Sequence, residues 1–575
     1  MNSFEPYLDL AIRASRAAGD LLRADFHRPL GPRGEYDKAP ADTEAEQLIR
    51  GILLGGNGDF GFLGEETGRV PGAAGAPVWV VDPNDGTRDY IKGRRGSSVS
   101  IALVFERRPV LGVVHPFGYP DDHGAVYAAV QGREGVSKDG MPVVNKLPER
   151  LGELDIVLVS GGGDRAARAN LQCTKPARVM SIPSIAHRLA RVAAGEACAT
   201  TSLYSPKSWD FAAGHCLVLA AGGLIVDQYG NEPVYDDEAN GSTPRLFAGS
   251  RSVALDLAKR DWDLAFRAER ETSMPIVRLA KGGAVKDPAL LSHAQGAWLG
   301  YLVGSSLGVF RDQTARPDSA AGQLGSAGEI AIACARSILD LASDHKSLQR
   351  AYVTWAGSKP NQPDRAINAV ASGYTLAEGQ SAAALSRVTA LALWGHAADP
   401  SILAEKVRAD TALTHPAQVA LDAAAVLAVA FQSLLHGLSA TAVVEAAHAF
   451  ARRSGASPAI IAAVAGAAEP PAPIGGAGVP DVGATVRACM FHLLHSDSFE
   501  QAVEAAAAQS PAEDALPSLV GAFMGARLGR DGIPARQRDL VLSCRPMDGL
   551  SRHARPTTYW ATDALSMAEA LLTAR

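Results

Sequence analysis

VDPNDGTRDY, residues 81–90, follows the apolar run Val78, Trp79, Val80 and sets two carboxylates, Asp82 and Asp85, in the turn that leaves a predicted buried strand. Hard carboxylate oxygens gathered at a strand end are the donor type a divalent cation takes. Gly86 frees the backbone to approach a ligand, and Thr87 supplies a hydroxyl to orient one. These are the parts a phosphate site needs beside its metal.

Around that turn, 575 residues exceed what one hydrophobic core usually serves, and 47% hydrophobic content is enough to fill two. The chain carries 55 basic against 61 acidic residues, a net charge of −6, which gives no general pull toward nucleic acid or an anionic membrane. A phosphate would therefore be recognised locally, and neither a nucleic acid polymer nor a membrane is an expected partner. Cys173, Cys198, Cys216, Cys334, Cys489 and Cys544 form no CxxC pair and read as reduced thiols in packed cores. The N-terminal MNSFEPYLDLAIRASRAAGDLL has early acids and helical spacing, unlike a leader peptide. No charge-free apolar run reaches the roughly 20 residues that span a bilayer. A soluble, cytoplasmic protein is the expectation.

Residues 1 to 250 mix helix patterns with β-rich runs, SVSIALVF, GELDIVLVS and GGLIVDQYG, each followed by turn residues. From residue 284 the texture turns to Ala- and Leu-rich segments with almost no β-branched alternation. The spacing predicts two domains, α/β over 1–270 and all-α over 284–575, with the boundary between Arg267 and Lys286 and a Pro/Gly loop at 469–480.

Three more pieces bear on the acidic turn. GEET, residues 64–67, puts Glu65 at another strand end; ADTEAEQLIRG, residues 41–51, starts a helix with Asp42 at its cap; SWDFAAGHCLVLAAGG, residues 208–223, is a helix with Asp210 in its first turn and Gly222 and Gly223 at its end. Taken singly, Asp42 and Asp210 read as caps, Glu65 as a solvated loop acid and DPNDGT as a turn. Their joint occurrence, in this order and at these spacings, moves the reading to a metal site.

GEE, DPxDGTxxY and WDxAAG together resemble the hallmarks of the inositol monophosphatase family, and the likeness covers most of residues 1–250. It implies a layered αβαβα sandwich and two or three magnesium ions held by Glu65, Asp82, Asp85, Asp210 and the carbonyl of Asn84. Asp42 matches the position that supports the looser metal. The resemblance further implies water attack on a phosphate monoester, with Glu65 and Thr87 positioning and deprotonating the water and the amides of Gly86 and Thr87 holding a phosphate oxygen. Ser184 sits where relatives have small residues near the phosphate, with Pro183 in place of an expected Gly. Lys207 and Arg188 are placed to meet a second phosphate or, as the plainer reading, to lie on a solvated surface. No acid lies between Glu196 and Asp210, where true inositol monophosphatases grip the inositol hydroxyls, so an inositol phosphate, a sugar phosphate and a nucleotide 3′-phosphate all stay open as substrates. Relatives of this half commonly pair, which makes a homodimer one expectation.

HAQGAWLGYLVGSSLGVF, residues 293–310, and GQLGSAGEIAIACARSIL, residues 322–339, resemble the first two helices of ADP-ribosylglycohydrolases, in a likeness spanning 284 to 545. Active members of that family hold two magnesium ions with acidic runs. Here Gly325, Ser326, Ala327 and Gly328 replace the first run, Ser305 replaces an early acid, and only Asp514 survives of the last, between Ala512 and Ala515. A site stripped of carboxylates cannot balance two divalent cations in a protein interior. This half is expected to be a scaffold or to bind an ADP-ribosyl compound without hydrolysing it; a sensor of such a nucleotide, or a residual glycohydrolase, is the alternative to the phosphatase reading.

Overall fold

The computed structural model describes residues 4–268, 275, 277, 279–309, 321–340, 344–361, 365–373, 381–471, 481–510, 513–551 and 553–574. Ala512 and most of the 469–480 loop lie outside them. The chain divides into two compact units, Met1–Met274 with Lys281–Lys286, and Pro275–Ala280 with Asp287–Arg575.

The first unit contains strands β1 (Gly61–Gly64), β2 (Gly68–Val70), β3 (Val78–Asp85), β4 (Ser98–Phe105), β5 (Arg108–His115), β6 (Tyr127–Val130), β7 (Val136–Lys138) and β8 (Met141–Val143), then β9 (Ile156–Val159), β10 (Arg178–Ser181), β11 (Ala199–Ser202), β12 (Leu224–Val226) and β13 (Leu246–Gly249). The first eight form one sheet in the order β2-β1-β3-β4-β5-β6-β7-β8, and the rest form a second, β10-β9-β11-β13-β12. Its helices are α1 (Glu5–Phe26), α2 (Pro40–Gly56), α3 (Thr87–Tyr90), α4 (Ala167–Thr174), α5 (Ile185–Ala193), α6 (Ser208–Ala220), α7 (Arg251–Ala258) and α8 (Asp263–Arg267).

Alternation along β4 sorts its residues between two cores. Val99, Ile101 and Leu103 pack with α1 and α2, whereas Ala102 and Val104 pack with α5 and α6. The α5 and α6 core continues into Ile225, Leu246 and Ala248 of the second sheet, whose other face packs with α4, α7 and α8. Helix, sheet, helix, sheet and helix thus stack in five layers, the αβαβα sandwich.

One irregularity prepares the site. Asp82 and Asp85 are three apart and would face opposite sides of a regular strand. In the ladder, Asp82 pairs with Ser100 and Asp85 with Ser98, so β3 carries one residue more than β4 and bulges between the two acids. Pro83, which has no N–H to give a ladder, occupies the bulge. Both acids therefore share the face of their serine partners, toward the middle helix layer: Ser100 Oγ donates to Trp209 O at 2.9 Å and Ser98 Oγ lies 2.8 Å from Ser184 Oγ. The acids belong to the strand itself, not to the turn after it.

No strand occurs among the described residues of the second unit. Two of its helices, Pro288–Val309 and Ala515–Leu528, cross at glycines. A Cβ on Gly296, Gly300, Gly521 or Gly525 would overlap a carbonyl oxygen of the opposite glycine, so only hydrogen side chains allow this approach. Helix Gln418–Leu435 is long and apolar enough to cross a membrane, but 78% of it is buried inside the unit. It also carries Asp422, which accepts from Ser457 N at 2.9 Å and pairs with Arg408.

Candidate active site

Three backbone segments converge at the bulge. Glu65 follows β1 and is held by its N–H to Val81 O of β3 at 3.2 Å. Asp210 is the third residue of α6, where its Oδ2 accepts from Lys207 N at 2.7 Å, a capping bond that also fixes the carboxylate. Oxygens of Glu65, Asp82 and Asp210 all lie within 4.8 Å of one another. Asp85 stands beside them, its Oδ2 accepting from Ser184 Oγ at 2.6 Å and Ala186 N at 2.7 Å.

Crowded acids resist ionisation. Glu65 is partly open to solvent, yet desolvation of its carboxyl inside the acidic group, then the neighbouring Asp85, Glu66 and Asp42, push it up to about 7. Burial first and the surrounding acids second drive Asp82 and Asp210 well above the usual carboxylate range, and burial raises Asp85 despite its two donors. The set of hard oxygen donors with excess negative charge fits a divalent cation, which would relieve the repulsion.

Asp42 departs from expectation. Helix α2 begins at Pro40 with Ala39 as its cap, so Asp42 lies in the first turn instead of capping it. It is buried and lies outside the group of three acids: its Oδ1 accepts from Asn84 Nδ2 and its Oδ2 from Thr87 Oγ1, both at 2.9 Å. Burial pushes its carboxyl up to about 7. Thr87 Oγ1 also lies 3.0 Å from the Asn84 carbonyl, the atom read as a metal ligand. Gly86, at φ +107°, caps α3, so Gly86 and Thr87 form the N-terminal end of that short helix.

Ser184 points at Asp85 from inside the protein. It is 0% exposed, donates to Asp85 and accepts from His187 N at 2.9 Å as the cap of α5, so it positions Asp85. Arg188 likewise is not solvated. It is buried one turn along α5, where Nη1 donates to Ile182 O at 2.7 Å and Pro183 O at 3.1 Å and Nε to Thr200 Oγ1 at 3.2 Å, bracing the turn that presents Ser184. Its place in the apolar run IAHRLARVA was the available signal, since a charge there must be paired inside the protein. Lys207 is exposed. Glu46 also escaped the sequence reading: fully buried, it accepts from Glu66 N at 2.8 Å and Thr67 N at 2.5 Å and so fixes the turn carrying Glu65. Its spacing of four from Asp42 puts both acids on one face of α2.

In the second unit, the residues around Asp514 satisfy one another. Ser305 Oγ donates to Asp514 Oδ2 at 2.5 Å and accepts from Gly325 N at 3.0 Å and Gly328 N at 3.1 Å, which uses its whole bonding capacity. Asp514 Oδ2 also accepts from Ala327 N at 3.0 Å. The surviving carboxylate thus lies against the N-terminus of helix Ser326–Leu339, whose amides occupy the oxygens that a cation would need.

The inositol monophosphatase family model covers residues 3–259. Inositol monophosphatase 2 of Solanum lycopersicum is 31% identical over 244 residues, 40% of this chain and 89% of that one. The chain belongs to the inositol monophosphatase family. Nus factor SuhB of Pasteurella multocida is 30% identical over 236 residues, 39% of this chain and 85% of the relative. The solved structure of an inositol monophosphatase from Anabaena (Nostoc) sp. PCC 7120 has 24% identity and a TM-score of 0.36, covering 47% of this chain and 98% of that one. Beyond the inositol monophosphatase half, the ADP-ribosylglycohydrolase family model covers residues 286–573.

Proposed function

We propose that the first half is a magnesium-dependent phosphomonoesterase acting on a small phosphorylated metabolite by direct water attack, and that the helical half is not catalytic. The convergence of Glu65, Asp82 and Asp210, with Asp85 beside them, carries the reading. Magnesium held by these four acids and the Asn84 carbonyl would neutralise phosphoryl oxygens and lower the pKa of an attacking water. Thr87 donates its hydroxyl hydrogen bond to Asp42, which leaves a lone pair of the Thr87 oxygen free to accept from that water, and Glu65 takes up the proton released in attack. The amides of Gly86 and Thr87 hold a phosphate oxygen at the start of α3. No side chain becomes covalently linked to phosphorus in this scheme. Inositol phosphates, sugar phosphates and nucleotide 3′-phosphates are the candidate substrates, and the missing acid between Glu196 and Asp210 weighs against inositol.

The inert helical half rests on Asp514, whose carboxylate is committed to Ser305 and to helix amides. Asp210→Asn keeps the size and the cap acceptor but removes a charge from the cluster. Turnover is expected to vanish while the circular dichroism spectrum and melting temperature stay near wild type. Activity that persists under saturating magnesium would sink the assignment.

A further inference from the structure

The segment Lys281–Lys286 belongs to the compact phosphatase unit, although the first family match ends at residue 259 and the second begins at 286. It is therefore an addition to the phosphatase domain, supplied by the stretch that joins the two halves. Its seating is specific. Gly282 takes φ +71° against Pro29, where a Cβ would overlap the Pro29 carbonyl. Ala284 packs on the core of α1 and α2, and Val285 is buried.

Val285 O accepts from Arg95 Nη2 at 3.0 Å. The same guanidinium donates through Nη1 to Asp122 Oδ1 at 2.5 Å and to Gly118 O at 3.0 Å, and it lies over the Phe26 ring at 5.5 Å from the centroid. Asp122 Oδ2 is 2.5 Å from His27 Nε2 at the end of α1. Arg95 is thus held from three sides, and the strap closes one of them.

Arg95 leads directly to the phosphate turn. Gly96, at φ +128°, lies so close to Pro183 that a Cβ would stand 2.9 Å from its Cδ, and a Cβ on Gly86 would stand 3.2 Å from Ser97 Cα. Residues 95–97 are therefore wedged between the strap on one side and Gly86 and the Ser184 turn on the other. A loop fixed at both ends keeps neighbouring groups within the narrow tolerance that catalysis requires.

We propose that Lys281–Lys286 is a clamp that, through Arg95, positions the 95–97 loop against the phosphate-holding turn, so that the stretch leading into the helical half sets the rate of the phosphatase half. The proposal rests on the phosphatase reading for its effect on rate, but not for the clamp itself. Arg95 is a positioning residue and touches no substrate.

The test uses the full-length chain and two strap variants, Gly282→Ala and Val285→Asp, with Arg95→Met as the reciprocal change. Hydrogen exchange is followed in peptides covering 91–97 and 281–287, and phosphate release in parallel. Undocking the strap is expected to speed exchange at 91–97 and to lower kcat on the order of tenfold, with the magnesium half-saturation unchanged because the strap touches no metal-binding acid. Faster exchange in the strap with 91–97 still protected would overturn the clamp. Faster exchange at both with kcat unchanged would overturn its role in positioning. A wild type that releases no phosphate would instead refute the phosphatase reading, and the exchange result would still decide the clamp.

Discussion

Ser184→Ala separates two roles for one hydroxyl. The sequence places it near the substrate phosphate; the structure buries it and points it at Asp85 Oδ2, 2.6 Å away. Metal binding requires Asp85 to be ionised, and a hydrogen bond to an ionised carboxylate contributes about 1.5–3 kcal/mol. Ala186 N still holds the same oxygen at 2.7 Å, so the loss should fall at the lower end of that range. At about 1.4 kcal/mol per decade, magnesium half-saturation should weaken roughly tenfold. Ser184 also caps α5 through His187 N, and losing such a cap costs about 1 kcal/mol. That corresponds to a fall of roughly 2–4 °C in the melting temperature of a unit of this size. Magnesium titrations of phosphate release at saturating ester, with ester titrations at saturating magnesium, separate the effects. The expected pattern is a shifted magnesium curve, a near-normal KM for the ester and kcat restored at high magnesium. A raised KM with an unshifted magnesium curve would show that Ser184 meets the substrate and would refute the positioning role.

Two further outcomes follow from the charges. Without metal, Glu65 and Asp42 stand near 7, above their unfolded values, so between about pH 4 and 7 the folded chain binds more protons than the unfolded one and these groups' contribution to stability is lost as pH rises. Magnesium at the neighbouring acids relieves that loss, so the rise in melting temperature on adding magnesium should be larger at pH 8 than at pH 5.5; equal rises would show that the metal does not sit among these carboxyls. Manganese can stand in for magnesium in electron paramagnetic resonance, and the Asp82→Asn/Asp210→Asn double variant should leave almost all added manganese free. Retained stoichiometric binding would show that Asp82 and Asp210 are not what holds the metal.

Individual strands and helices were legible because their patterns are local, whereas their layering was implied by the family resemblance. SVSIALVF alternates between two apolar faces and forms β4 residue for residue, and the glycine pair after α6 ends that helix, Gly222 taking φ +74°. Acid identity at the site was legible through motif spacing. What escaped the sequence was the partner of each group. Nothing local to VDPNDGT specifies a bulge, which depends on how β4 pairs with β3. Arg188 looked like a surface cation because its acceptors, Ile182 O, Pro183 O and Thr200 Oγ1, converge only once α5 packs on the second sheet. Loss of the helical half's acids could be counted in the sequence, but the use of Asp514 as an acceptor for a helix start appears only when the glycine crossing brings Ser305 beside it.

Phosphate release by the full-length chain with magnesium decides whether the acidic group hydrolyses phosphate esters. The panel holds inositol 1-phosphate, histidinol phosphate, fructose 1,6-bisphosphate, 3′-phosphoadenosine 5′-phosphate and ADP-ribose 1″-phosphate, with Asp85→Asn as the blank. Strong turnover of at least one ester, dependent on magnesium and lost in the variant, is the expected result. Turnover that survives in Asp85→Asn, or silence of the wild type across the panel, would contradict it.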